Sequence, residues 1–337
     1  MRALFTLLVW AWLMASSFVV SANMLIYASP IATSVFRFIL ALLMVFLLLI
    51  LKWKRTGLKV SDQLSQLLGS RQQCLHYIMI SGALVGFFIG LFAALEYTTA
   101  LNTSVLYTLV PLMGVVISRI WLNERLNFLK VGGFIIGSIG ASVVLFSTQS
   151  MFSNRLSDSL SQQGLNRVIA EIMHFDWNKG DLIFLAACVL LALHVVSVQK
   201  WGRSLPPLSG AFMIMLFGSF WLVPISLIWG DLGQVQWQLA GFWVNALYLT
   251  VFATLFTFVL QQRLVVSVGA SRLLAFSYTI PVWVACYTAF FHDQLKSLMN
   301  FAFIIGLLLL WLAYLLIEGT RFSKVINIQS TKESREA

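Results

Sequence analysis

Leu109-Val110-Pro111, followed by Trp121-Leu122-Asn123-Glu124-Arg125-Leu126 and then Gly137, has a counterpart later in the chain. The counterpart reads Thr279-Ile280-Pro281, then Phe290-Phe291-His292-Asp293-Gln294-Leu295, then Gly306. Proline to acid is 13 residues in the first copy and 12 in the second; acid to leucine is 2 in both, and acid to glycine is 13 in both. Each copy is an apolar run interrupted by a proline and ended by a carboxylate. Self-similarity at this distance means that one structural unit is used twice.

The rest of the chain says what the unit is. Of 337 residues, 60% are hydrophobic and 10% charged, against about 45–50% and about 25% in a soluble domain. A water-soluble fold of this size could not bury that much apolar surface, which excludes a soluble enzyme, a disordered chain and a fibrous repeat. A bilayer core about 30 Å thick takes about 20 apolar residues of helix. Ten such runs lie near 3–22, 32–51, 77–96, 100–121, 130–147, 180–198, 209–229, 240–260, 267–290 and 299–317. The fold class is therefore all-α and polytopic, with ten transmembrane helices. Five spans per copy is an odd number, so the two copies lie inverted in the membrane, an arrangement typical of alternating-access transporters. The expected division is a first repeat at 1–148, a linker loop at 149–179, a second repeat at 180–317 and a tail at 318–337. Arg2, an apolar run and Val20-Ser21-Ala22 imitate a signal peptide, but removing them would leave an odd helix count, so the first helix is read as retained.

The net charge of +10 has its own distribution. Arg155, Arg167, Lys179 and Lys296 fall on one side of the ten spans; most of the other basic residues, including Lys52, Lys54, Arg55, Lys59, Arg71 and four in the tail, fall on the other. By the positive-inside rule both termini face the cytoplasm, in a cytoplasmic (inner) membrane, and 149–179 is extracytoplasmic. No basic run is interleaved with stacking aromatics, so nucleic acid is not an expected partner. Lys52–Cys74, 149–179 and the tail read as non-helical, apart from a helix-like patch at Leu165–Phe175. Of Cys74, Cys188 and Cys286, two sit within apolar runs, which suits small core residues better than a disulfide framework.

An ordered set of residues across the whole chain carries a resemblance. In the first half it is Ser16-Ser17-Phe18, Ser29-Pro30 with Arg37-Phe38 following, Ala100, Pro111, Glu124-Arg125-Leu126 and Gly137. In the second it is Gly269-Ala270-Ser271, Pro281, Asp293-Gln294-Leu295 and Gly306. The chain resembles the EamA-type transporters of the drug/metabolite transporter superfamily. The resemblance implies two inverted five-helix repeats and movement of a small metabolite, often outward. Met14-Ala15 stands where the family often has Trp-Gly, and Ala22-Asn23 where it often has a lysine.

The candidate site follows from the prolines. Each removes a helical hydrogen bond, freeing the carbonyls of Tyr107 and Ser277, and paired interruptions in corresponding helices mark transporter sites. Ser104, Tyr107, Thr108 and Pro111 share helical spacing; Ser277, Tyr278, Pro281 and Trp283 cluster near the midplane of their helix. Together they suit a mixed aromatic and polar substrate pocket, the alternative being a packing kink in an aromatic core. Arg37, within the second helix, could attract an anionic substrate group, pair with Glu96 or snorkel to the surface. Glu96 and His194 are the proton-coupling candidates; a solvated acid and a histidine bonded to a backbone carbonyl are the plainer readings. Glu124 and Asp293 read as caps or hinges. Gly82, Gly86 and Gly90, like Gly133, Gly137 and Ala141, let helices approach closely within the bundle or across a homodimer. No P-loop, His-Glu-x-x-His or Gly-x-Ser-x-Gly pattern occurs, and no cofactor or metal is expected. The function read from all this is a secondary transporter of a small organic metabolite (amino-acid-like, nucleobase-like or drug-like), exporting and proton-coupled. The alternative is a non-transporting scaffold or lipid-handling protein.

Overall fold

The computed structural model describes residues 2–98, 100–124, 128–152, 178–291 and 298–317, and every regular element among them is helical. Span 1 is Arg2–Met24, span 2 Pro30–Arg55 and span 3 Arg71–Leu95. Span 4 is built from Ala100–Tyr107 and Val110–Leu122, and span 5 is Phe128–Phe152. Span 6 is Lys179–Trp201 and span 7 Pro207–Trp229. Span 8 runs Ala240–Thr250, a π-helical turn Val251–Phe256, then Thr257–Val268. Span 9 runs Ala270–Phe276, a 3₁₀ turn Ser277–Thr279, then Ile280–Phe291. Span 10 is Phe301–Ile317. Among the described residues the first nine are long and apolar enough to cross a membrane, and span 10 is shorter.

Local chemistry sets the ends. Ser29 Oγ accepts the Ala32 N–H at 3.1 Å with Pro30 in the first turn, and Lys52, Lys54 and Arg55 complement the carbonyl end of the same helix. Span 6 starts with a reciprocal capping box between Asn178 and Asp181.

Packing repeats itself when each span is exchanged for the one five places away. Span 3 lies on span 6 as span 1 lies on span 8; span 4 on span 6 as span 9 on span 1; span 3 on span 7 as span 8 on span 2. Span 2 meets span 7, its own mate. Spans 5 and 10, also mates, touch backbone to backbone. A Cβ on Gly140 would lie 3.2 Å from the Gly306 carbonyl oxygen, and one on Gly306 would lie 3.1 Å from the Gly140 oxygen. The glycines of span 3 face inward: a Cβ on Gly90 would meet Ala187 at 2.7 Å and one on Gly86 would meet Leu190 at 2.9 Å. They serve packing within the bundle.

One expectation is corrected. Lys52–Cys74 is not wholly non-helical, because Val60–Leu68 forms a helix. Val60, Leu64 and Leu67 recur at helical spacing; Leu67 is buried and the other two pack against the core. The Leu165–Phe175 patch, Asp293 and the tail lie outside the described residues.

Candidate functional site

Span 4 and span 9 break in the same way. Their first pieces have 8 and 7 residues and their second pieces 13 and 12. At the break in span 4 the Thr108 and Leu109 N–H groups bond three residues back, each at 3.0 Å; in span 9 the equivalent place is the 3₁₀ turn. Side-chain hydroxyls add hydrogen bonds to carbonyls of the turn before each proline. Thr108 Oγ1 donates to Val105 O and Ser277 Oγ to Leu274 O, each at 2.6 Å, and Thr279 Oγ1 donates to Phe276 O at 2.8 Å. Pro111 and Pro281 explain why the pieces do not fuse: a proline cannot donate into the ladder and its ring crowds the preceding turn.

The two breaks are wired together through span 5. Ser138 Oγ lies 2.9 Å from the Thr108 carbonyl oxygen and 3.0 Å from the Tyr278 hydroxyl, which also lies 2.9 Å from Phe134 O. The ring of Tyr278 lies against Gly137, where a Cβ would come within 2.6 Å of it. Tyr278 is thus buried between spans 5 and 9. Tyr107 points elsewhere, with Phe18 at 6.2 Å and Phe87 at 6.3 Å between ring centroids. No hydrogen bond is made by its hydroxyl among the described residues. The two tyrosines do not line one pocket side by side: each sits at its own break, and Ser138 joins Tyr278 to Thr108, the neighbour of Tyr107. Ser104 is half-buried, as is Trp283 against the core, and Ser277 is buried.

The charged and titratable candidates separate. Glu96 ends span 3 and is exposed. Arg37 does not reach it; its Nε donates to Thr254 Oγ1 in the π-helical turn of span 8 at 3.2 Å. His194 is fully buried, with Nδ1 2.8 Å from Ile80 O and Nε2 3.4 Å from Gln261 Nε2. That pattern fits a neutral ring donating through Nδ1 and accepting at Nε2.

Glu124 does more than cap span 4. Its carboxylate accepts from Gln199 Nε2 at 3.0 Å and from Ser271 Oγ at 2.8 Å, with Lys130 Nζ at 3.7 Å. Gln199 Oε1 in turn accepts the Ala270 N–H. Lys200 lies 4.7 Å over the Trp121 ring. The end of span 4 is therefore tied to the end of span 6 and to the start of span 9, across the two halves. In the sequence, Glu124 and Gly269-Ala270-Ser271 stand out separately, as members of the resemblance set in the two halves; nothing links them. Gln199 carries no signal. A groove of about 570 Å³ between spans 3, 6 and 7, walled by Met79, Gly86, Leu190 and Trp221, contains none of the candidate residues. Met79 and Trp221 are exposed at its edge, so it opens on the outside of the bundle.

Comparison with known proteins matches this architecture. The EamA-like transporter family model matches residues 1–146 and 178–319. A protein of Bacillus subtilis (strain 168), named as the uncharacterized transporter YyaM, is 24% identical over 257 residues, covering 76% of this chain and 75% of its own length. A second from that organism, the uncharacterized transporter YvbV, is 26% identical over 218 residues, 64% of this chain and 62% of its own. A solved crystal structure superimposes with a TM-score of 0.67 over 94% of this chain and 95% of that one, at 16% identity, a likeness of fold. On the family match over nearly all the described spans, the chain belongs to the EamA-like transporter family.

Proposed function

We propose that the protein is a secondary transporter that carries a small organic metabolite, amino-acid-like, nucleobase-like or drug-like, out across the cytoplasmic membrane by alternating access, driven by protons. The observation that carries the reading is the link Tyr278–Ser138–Thr108, which joins the proline breaks of two inversion-related helices. Interrupted helices at corresponding places form transporter sites because their loosened backbone lies at membrane depth and has to face protein or a cavity. Joining the breaks gives substrate bound at one a mechanical route to the other half.

The Glu124 ties hold spans 4, 6 and 9 together at one end of the bundle. The distribution of basic residues assigns that end, and both termini, to the cytoplasm. Alternation then consists of releasing this tie while the opposite end closes. Tyr107, Ser104 and Trp283 are the proposed contacts for substrate, with Pro111 and Pro281 setting the breaks. Glu96, in reach of water, is the first candidate for the proton, and His194 the second, since protonating it requires giving up the bond at Nε2.

The test is mass spectrometry of the medium from cells producing the protein, against cells producing Tyr107→Ala at equal membrane abundance. One or a few metabolites enriched only with the intact protein support export. No enrichment with well-inserted protein overturns it. Glu96→Gln is the coupling arm: the pH dependence of efflux should disappear, and an unchanged profile moves the role to His194.

A further inference from the structure

We propose that Arg37, held by Thr254, is the recognition point for a carboxylate on the transported solute; this rests on the transporter reading and names its substrate class. Arg37 is the eighth residue of span 2, about 10 Å from the nearer end of that helix at 1.5 Å per residue. Its bond to Thr254 draws the guanidinium toward a residue about 21 Å from either end of span 8. A snorkelling arginine would turn the other way. This cation is held at depth, where an uncompensated charge is costly and is kept for function.

No carboxylate lies within ion-pair distance of Arg37 among the described residues. The Nε bond to Thr254 fixes the plane of the guanidinium and leaves the two Nη nitrogens as a fork, the geometry that binds a planar carboxylate through two parallel hydrogen bonds. Thr33, one turn away on the same side of span 2, is 6% exposed, and its hydroxyl is buried without a partner. It is a further donor on the same face of the helix as Arg37. Thr254 itself sits in a π-helical turn, a distortion frequent at functional sites. Together, cation, unpartnered hydroxyl and distorted helix describe a site built for an anion that the protein does not supply.

The test uses purified full-length protein in detergent, with thermal unfolding as the readout. The probes are acid and amide pairs: acetate with acetamide, benzoate with benzamide, phenylalanine with phenylalaninamide. At least one acid should stabilise the protein where its amide does not. Arg37→Gln should weaken that acid's apparent affinity about tenfold or more, the loss of one charge-assisted pair, and Arg37→Lys should keep part of it. If Arg37→Gln does not fold, Thr254→Val should give the same weakening to a lesser degree. Equal shifts from acid and amide, or an undiminished acid shift in the variants, overturn the proposal. An acid that binds through Arg37 yet does not move across proteoliposomes overturns the transporter reading and leaves the binding site standing.

Discussion

The breaks in spans 4 and 9 share a backbone and differ in what their side chains do. At both, a short first piece gives way to tightened hydrogen bonds and a proline-led second piece. Yet the aromatic at the span 9 break, Tyr278, is buried and hydrogen-bonded into span 5, while the one at the span 4 break, Tyr107, keeps its hydroxyl unbonded among the described residues and turns toward spans 1 and 3. Duplication preserved the scaffold, where proline and hydroxyls act on the chain's own carbonyls. It did not preserve roles that depend on a partner helix. Both breaks are bonded to span 5 through Ser138, but only the span 9 break contributes its tyrosine to that anchor; Tyr107 stays available for the substrate contact proposed above.

The largest effect expected from this contrast comes from filling the anchor. Gly137→Leu places carbon where the Tyr278 ring already lies, 2.6 Å from the first added atom, and should cost about 2–3 kcal/mol in equilibrium unfolding in mixed micelles. A variant that unfolds like the wild type would show the Tyr278 ring to be loose. Tyr278→Phe removes the hydroxyl bonds to Phe134 and Ser138 and should cost about 1–2 kcal/mol in the same assay, with the KM for transport unchanged. Tyr107→Phe should alter stability by less than about 0.5 kcal/mol and lower flux about tenfold, the worth of one hydrogen bond to substrate. If Tyr107→Phe destabilised the protein as much as Tyr278→Phe, the two breaks would be equal anchors and the contrast would fail.

Much of this was legible in the chain. Ten apolar runs, two prolines and two acids at matching spacing specify the spans, the repeat and the breaks, because membrane insertion and proline geometry are local effects. Val60, Leu64 and Leu67 are too few, among the charges around them, to overturn the non-helical reading of Lys52–Cys74, which the helix at Val60–Leu68 corrects. What could not be read is what requires two helices at once. Gln199 and Ser271 reach Glu124 from 75 and 147 residues away. The π-helical turn at Val251–Phe256 has neither glycine nor proline to announce it. Tyr107 and Tyr278 looked like partners because both flank a proline; which way each ring turns is decided by Gly137 opening space beside one and by Phe18 and Phe87 meeting the other.

Gly140 and Gly306 lead furthest from the site. A Cβ on either would lie 3.1–3.2 Å from the other's carbonyl oxygen, and because the two belong to mate spans the seam is of the kind found along the axis of a two-fold dimer. A lone five-helix unit ending in such a span has the means to pair with an inverted copy of itself through that seam without any new chemistry. The covalent connection between the halves would then act chiefly by raising their effective concentration. It follows that the two halves, made as separate polypeptides in one membrane, already carry the surface by which to find each other.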